Sequence, residues 1–452
     1  MRRESGAALT HRILAQAWPV LIGQWAAIAF GVMDTMMVGH ASPQDLAAMA
    51  LGASIYASVF VGLMGVIIAL SPIIGQHFGG TRNVEIGKTY TQGVWIALWL
   101  AIIGDLSMAF PGVWLVMSPV EPAVGELITR YLHALMFALP AALLFRTVYA
   151  LNVAVSRPKV TMAINLVGLG LKIPLNYVLI YGKFGAPALG AAGCGVATAI
   201  VMWMSCGIAL VTLARDPFYR RFQIRFHWPH WRGQKEVLRL GIPTGLSYLV
   251  EVTSFTFMAL LVARLGTSVI GGHQIVANLA AVCFMLPLSL AVATSAIAAQ
   301  AIGAGDALAA RRASRAGLRL AIGIALFVSS AIWLTRFHIV AAYTDDAEVA
   351  AVALSLIAFV AVFHVFDATQ AMAGFLLRAY KHAVAPMLIY TVSLWGIGLV
   401  GGFWIAFHPP EFIAPLGARG LWGASTVALI LASVTLVAYL LRVSRRPLAE
   451  SQ

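Results

Sequence analysis

The chain of 452 residues is 61% hydrophobic and only 10% charged, with a mean hydropathy of +0.88. Soluble globular domains are near half apolar and a quarter charged, so this composition excludes one and places the chain in a bilayer. The formal charge of +13 does not indicate nucleic acid, because the basic residues sit in short loops between apolar runs.

A run of about 20 apolar residues crosses the hydrocarbon core as a helix. In chain order such runs fall at 13–38, 46–72, 91–116, 127–151, 160–182, 188–213, 238–263, 270–300, 316–336, 349–377, 384–407 and 420–441. They predict an all-α membrane protein with twelve transmembrane helices. Met1 to Arg12 is polar and basic and precedes a run long enough to stay in the membrane, so the chain reads as mature from Met1. Cys194, Cys206 and Cys283 fall inside apolar runs without metal or redox spacing and read as small buried residues.

The loops after even-numbered runs hold Arg82 and Lys88, Arg157 and Lys159, the stretch from Arg215 to Lys235, Arg311, Arg312 and Arg315, and Arg378 and Lys381. With both tails, that side carries roughly twenty Lys and Arg against about five opposite, Lys183, Arg264, Arg336 and Arg419 among them. Basic loops face the cytoplasm, so both termini are expected there.

The sequence repeats itself. Ile73–Gly80, IIGQHFGG, recurs as IAAQAIGA at Ile297–Ala304, and Leu189–Thr198, LGAAGCGVAT, recurs as LGARGLWGAST at Leu416–Thr426. Six spans separate the copies, an even number, so the halves share one orientation, as in parallel-repeat transporters. The expected organisation is two pseudo-symmetric six-helix lobes, 1–213 and 238–452, joined by a cytoplasmic linker at 214–237.

Charges at membrane depth are costly and usually face a cavity or a partner. Asp34 lies in the outer part of the first run, Lys172 in the middle of the fifth, Glu251 in the seventh and Asp367 in the tenth. Each belongs to a stripe at three- and four-residue spacing: Gln24, Ala27, Gly31 and Asp34; Asn165, Gly168, Lys172 and Asn176; Ser247, Glu251 and Phe255; Phe363, Asp367, Gln370 and Gly374. Residues so spaced share one helix face. Such faces line a wet interior or make interhelical hydrogen bonds.

Glu251 and Asp367 are expected at equal depth in one half. Two carboxylates in one low-dielectric site do not both ionise cheaply, and a proton or a hard cation relieves them. Phe255 either offers a cation–π face or packs in the core. Lys172 either pairs with Asp34, filling space a metal ion would use, or snorkels and bonds Asn176. Asp345 and Asp346 open the tenth span and serve as helix caps or attract cargo. Asp105 and Arg146 have no partner evident in the sequence. His40, His77, His273 and His364 are scattered without metal spacing. No P-loop, nucleophile elbow or metalloprotease helix is present, which argues against an ATP-driven pump or an enzyme and implies no cofactor.

These residues resemble the multidrug and toxic compound extrusion (MATE) family in its NorM-like bacterial branch, over essentially the whole chain. The resemblance rests on MDTMMVGH (Met33–His40), PIIGQHFG (Pro72–Gly79), SRPK (Ser156–Lys159), Glu251, and YTDDAEV followed by FDATQ with Asp367. It implies two lobes around a large cleft and efflux of lipophilic organic cations such as dyes, fluoroquinolones and phosphonium compounds. The driving ion would be Na⁺ or H⁺, with any Na⁺ held at Glu251 and Asp367, and with Phe255 linked to cation binding. It makes Asp34, Gln24, Ser54, Ser247, Asp345 and Asp346 the substrate-contacting set. It also implies a monomer in the bacterial inner membrane whose partners are small organic cations and the bilayer. Two departures matter: Lys172 stands where some relatives have asparagine, and Phe363 where some have tyrosine. Both remove cation ligands. A related lipid-precursor flippase would carry anions and need a cavity lined with Arg and Lys. An ion channel would need a several-fold repeated filter that is not evident.

Overall fold

The computed structural model describes residues 5–115, 121–408 and 416–445. The first four residues of the basic amino-terminal tail, position 116 of the third run and the tail beyond 445 lie outside them. Each of the twelve runs is helical: α1 Gly6–Ala41, α2 Pro43–Gly79, α3 Asn83–Ala109, α4 Pro122–Met136 continued as Ala138–Ala154, α5 Pro158–Tyr181, α6 Gly190–Arg215, α7 Trp231–Ala263, α8 Thr267–Gly303, α9 Ala307–Tyr343, α10 Ala347–Ala379, α11 Val384–Phe407 and α12 Gly417–Arg445. The two pieces of α4 meet at 41°. No strand occurs among the described residues.

Several helices exceed the apolar runs at their ends, whereas α3 stops at Ala109, inside the run 91–116. The repeated IIGQHFG segment is the last part of α2, and Arg311, Arg312 and Arg315 lie in the first turns of α9, where the sequence suggested a loop. Arg311 donates to the carbonyls of Ser444 and Arg445, so a basic side chain meets the negative end of α12. Proline interrupts the helical ladder at Pro19, Pro174, Pro243 and Pro287. In α11, Thr391–Gly401 winds as a π-helix.

Turn chemistry sets the helix ends. Ser42, Asp306 and Asp346 each cap the following helix, accepting from Asp45, Ala309 and Glu348 amides at 3.3, 2.8 and 2.8 Å. Left-handed residues close the basic-side turns in both halves. Thr81 (φ 57°) and Gly305 (φ 76°) follow α2 and α8, and Ser156 (φ 61°) and Lys381 (φ 61°) follow α4 and α10. At each, the next amide reaches back five residues, at 2.9, 3.0, 2.7 and 2.9 Å, which is a Schellman closure. Gly190 (φ 54°) and Gly417 (φ 53°) match likewise as the first residues of α6 and α12. The repeat therefore extends to loop geometry where residue identities have diverged.

Internal contacts divide the chain into Ile22–Gly245 and a second unit of Leu246–Gln452 with Met1–Leu21. The boundary falls inside α1 and α7. In the second unit, Arg12 near the start of α1 donates to Gln300 of α8 at 3.1 Å. In the first unit, Val38, Met49, Tyr131, Leu135, Ala138, Ile180, Ala191, Cys194 and Ala199 pack as one core. Lipid tails are as apolar as these side chains, so close packing, and not escape from water, holds such a core together.

The segment after α6 is bound to this first unit. Asp216 caps the short turn Pro217–Arg220, accepting from the Phe218 amide at 2.9 Å, and pairs with Arg157 at 2.5 Å. Arg157 and Arg221 lie over the Phe218 ring at 4.5 and 3.8 Å. Side chains of α3 then take up its carbonyls: Thr91 donates to Arg225 (3.1 Å), Gln92 to Trp228 (3.1 Å) and Trp95 to His227 (2.9 Å). The Phe218 amide, and then Arg157, hold the Asp216 carboxyl below its ordinary value of 3.8. A lowered carboxyl stabilises the fold above 3.8 and loses that contribution only as pH falls through its lower folded value. The strap therefore stays bound through the neutral range.

Gly87 of α3 permits this docking, since a Cβ there would stand 2.2 Å from the Phe222 carbonyl oxygen. Overpacking of this kind costs about 1–3 kcal/mol. Gly87→Ala is expected to raise trypsin cleavage at Arg220, Arg221 and Arg225 roughly tenfold or more, measured by mass spectrometry in detergent. An unchanged cleavage rate would show that the strap does not depend on this contact.

Candidate functional site

Among the described residues, each unit holds a cluster of charged and polar side chains at membrane depth. In the first, α1 and α5 run side by side in the same direction. Asn165 donates to the Gly23 carbonyl (3.3 Å), Asn176 to Asp34 Oδ1 (2.7 Å) and Tyr181 to the Met37 carbonyl (2.7 Å). Lys172 is fully buried, and its Nζ stands 3.2 Å from Asp34 Oδ1 and 3.3 Å from the Cys194 carbonyl, with Thr198 Oγ1 as a third acceptor. An ammonium has three donors, and these three oxygens satisfy them. The expected Lys172–Asp34 pair is thus formed, and Asn176 joins it through the same carboxylate oxygen. The Asp34 side chain is 15% exposed. A side chain on Gly31, one turn away, would meet nothing within 4 Å, so there is open space beside the acid. Asn176 Oδ1 has no hydrogen-bond partner.

The other first-unit candidates stand apart. Gln24 is half-buried on the same stripe of α1, and Ser54 bonds the Ala50 carbonyl of its own helix at 2.9 Å. Arg146 lies over Phe60 and Tyr149 at 5.6 and 5.3 Å, and Asp105 Oδ1 has no hydrogen-bond partner.

In the second unit, Glu251 of α7 and Asp367 of α10 each lie one turn from a ring contact between the two helices, Phe255 against Phe363. Asp367 is buried, and Gln370, one turn on, donates to its Oδ1 at 3.0 Å. Gln370 is itself braced by Tyr390, whose hydroxyl donates to the Gln370 carbonyl at 3.4 Å. Gly374 leaves room for that hydroxyl, which would lie 2.6 Å from a Cβ at this position. Phe255 packs edge-on against Phe363 with centroids 5.8 Å apart, and Phe363 packs against Trp422 at 5.7 Å. Trp422 donates to His273 at 3.1 Å. The substitution of phenylalanine at 363 thus builds an apolar wall beside the acids.

Ser247 is buried one turn before Glu251. Asp345 and Asp346 are exposed at the start of α10, about 30 Å along the helix from Asp367 by helical rise. Asp346 accepts from the Glu348 and Val349 amides at 2.8 and 3.0 Å and caps that helix. Among the described residues no three His, Cys, Asp or Glu side chains converge as metal ligands.

The structure corrects the placement of Arg378. Arg378 is not a solvated loop charge: it is 6% exposed, in the last turn of α10, and donates to the hydroxyl of Tyr248, one turn from Glu251 on α7. The signal was present, because the stripe Phe363, Asp367, Gln370, Gly374 continues to Arg378 at the next four-residue step. The roles of Thr198, Tyr248 and Tyr390 carried no comparable sequence signal.

The MatE family model matches residues 19–178 and 243–404, one copy in each half. The chain belongs to the MATE family. It is 42% identical to the probable multidrug resistance protein NorM of Aromatoleum aromaticum, over 98% of this chain and 96% of that protein. It is 36% identical to the multidrug resistance protein PmpM of Pseudomonas aeruginosa, over 96% and 91%. Among solved structures, a eukaryotic MATE transporter, AtDTX14, superposes with a TM-score of 0.89 at 20% identity, covering 99% of this chain and all of that one. The Vibrio cholerae MATE transporter VcmN in its bent form superposes at 0.85 with 17% identity, covering 98% of both chains. The MATE architecture of two six-helix lobes follows from these matches and the twelve spans.

Proposed function

We propose that this MATE protein is a secondary antiporter that exports lipophilic organic cations across the bacterial inner membrane in exchange for inward-moving H⁺ or Na⁺. The observation that carries the reading is the pair of buried acidic clusters, one per half and differently compensated. Asp34 is balanced by Lys172 and has open space beside it, which suits a bulky cation. Asp367, buried and bonded to Gln370, and Glu251 each lie one turn from the Phe255–Phe363 ring contact, an aromatic-walled site that suits a small ion. In this reading Gln24, Ser54, Ser247, Asp345 and Asp346 assist cargo, and Phe255 shields the ion site. Cargo and ion need not meet, because each need only favour a different access state. The relatives' names as multidrug resistance proteins support the choice of cargo class.

The test is ethidium movement in membrane vesicles energised separately by a Na⁺ gradient and a proton gradient. Accumulation under one of them is expected, and none under either would remove the antiport reading. In this reading both termini lie in the cytoplasm, which the loop charges support. A cysteine introduced between Arg215 and Lys235 should therefore react in intact cells only with a membrane-permeant reagent, and labelling by an impermeant one would reverse the orientation.

A further inference from the structure

Asp367, Gln370, Gly374 and Arg378 lie on one face of α10, with Arg378 at the end that carries the basic loops. Eleven residues of rise put it about 16 Å beyond Asp367 toward that end. Arginine near a helix end ordinarily snorkels outward. This one does not. Helical side chains leave the backbone toward the helix N-terminus, which here is toward the acids. Its guanidinium donates to the Tyr248 hydroxyl at 3.4 Å and lies over the rings of Tyr248 and Phe375 at 5.1 and 4.6 Å. Tyr248 is one turn from Glu251 on α7, on the same side of the acids as Arg378. A guanidinium keeps its charge at any working pH. A permanent positive charge therefore stands, clamped by two aromatic rings, between the acid pair and the basic-loop end of this unit.

We propose that Arg378 is the electrostatic barrier that stops the coupling ion from leaking between the Glu251–Asp367 site and the cytoplasmic end of the C-terminal lobe. A fixed cation in a low-dielectric passage repels a passing cation, as arginine does in selective pores. The ion taken up by the acids then leaves only when the transporter changes its access state, which ties ion movement to cargo movement. The inference rests on the reading of Glu251 and Asp367 as the ion site.

The test uses the full chain in liposomes without cargo, measuring proton entry with an internal pH dye and Na⁺ entry with a radioactive tracer. Arg378→Gln is expected to raise one of these fluxes at least about tenfold, a modest fraction of what a unit charge does at short range. Arg378→Lys, which keeps the charge, should stay within about twofold of wild type. Tyr248→Phe, which removes only the anchoring hydroxyl, should give an intermediate leak and decides the matter if Arg378→Gln does not fold. Adding Asp367→Asn to Arg378→Gln should close the leak. Folded Arg378→Gln or Tyr248→Phe protein that remains as tight as wild type, or a leak that survives Asp367→Asn, overturns the proposal. Failure of wild-type vesicles to exchange ethidium for either ion is a separate result and counts against antiport itself.

Discussion

Glu251→Gln or Asp367→Asn is expected to abolish cation-driven cargo release while leaving ethidium affinity within about threefold of wild type. Each change keeps the shape of the side chain and removes one acid. Both carboxyls lie one turn from the Phe255–Phe363 contact and are read here as one site, and effects of residues that act as a unit are not additive. The double variant should therefore be no worse than either single one. In reconstituted liposomes, exchange in the single variants should fall by roughly 100-fold or more, as when an essential group is lost. Lys172→Asn should leave the cation stimulation intact. Retained stimulation in both Glu251→Gln and Asp367→Asn would remove these acids from the coupling role, and lost cargo affinity would reassign them to cargo.

Lys172→Met is expected to destabilise the first half by about 3–5 kcal/mol, the usual cost of leaving one member of a buried ion pair alone. The ammonium is fully enclosed, and its three acceptors would lose their donor together. Asp34→Asn/Lys172→Met should recover most of that loss, because removing both charges ends the imbalance. Reversible unfolding in mixed detergent micelles reads both values. Asp34→Asn alone should weaken ethidium or phosphonium binding about tenfold or more, the scale of one lost charge-assisted contact. A double variant no more stable than Lys172→Met would mean that the pair contributes packing and not charge balance. Unchanged affinity in Asp34→Asn would move cargo recognition elsewhere.

The spans were legible because uninterrupted apolar runs have one structural solution in a bilayer. Lys172 and Asp34 were legible because both lie inside runs, where a charge needs a partner and a stripe shows which face it shares. Arg378 was misplaced because a basic residue near the end of a run normally extends to the headgroups, and nothing local announces that Tyr248 and Phe375 will hold it inside. The Thr198 and Cys194 acceptors depend on how α6 packs against α5, which pattern within one helix does not encode. The π-helical stretch at Thr391–Gly401 left no composition signal either. The strap after α6 was read as a linker because Pro, Trp and Arg without periodicity look like free loop. Its carbonyls are instead taken up one by one by α3.

That attachment changes where the protein tolerates an insertion. The long basic segment would ordinarily be chosen to carry a tag or a fusion partner, since tolerance is usually guessed from loop length. Tolerance follows from burial and backbone bonding at the splice point, and here a splice between Phe222 and His230 would break bonds to Thr91, Gln92 or Trp95. The turn between α5 and α6 is the better opening. Phe184 is 90% exposed there, and a side chain at Gly185 would meet nothing within 4 Å. A fusion at Phe184–Gly185 leaves the strap's anchors intact.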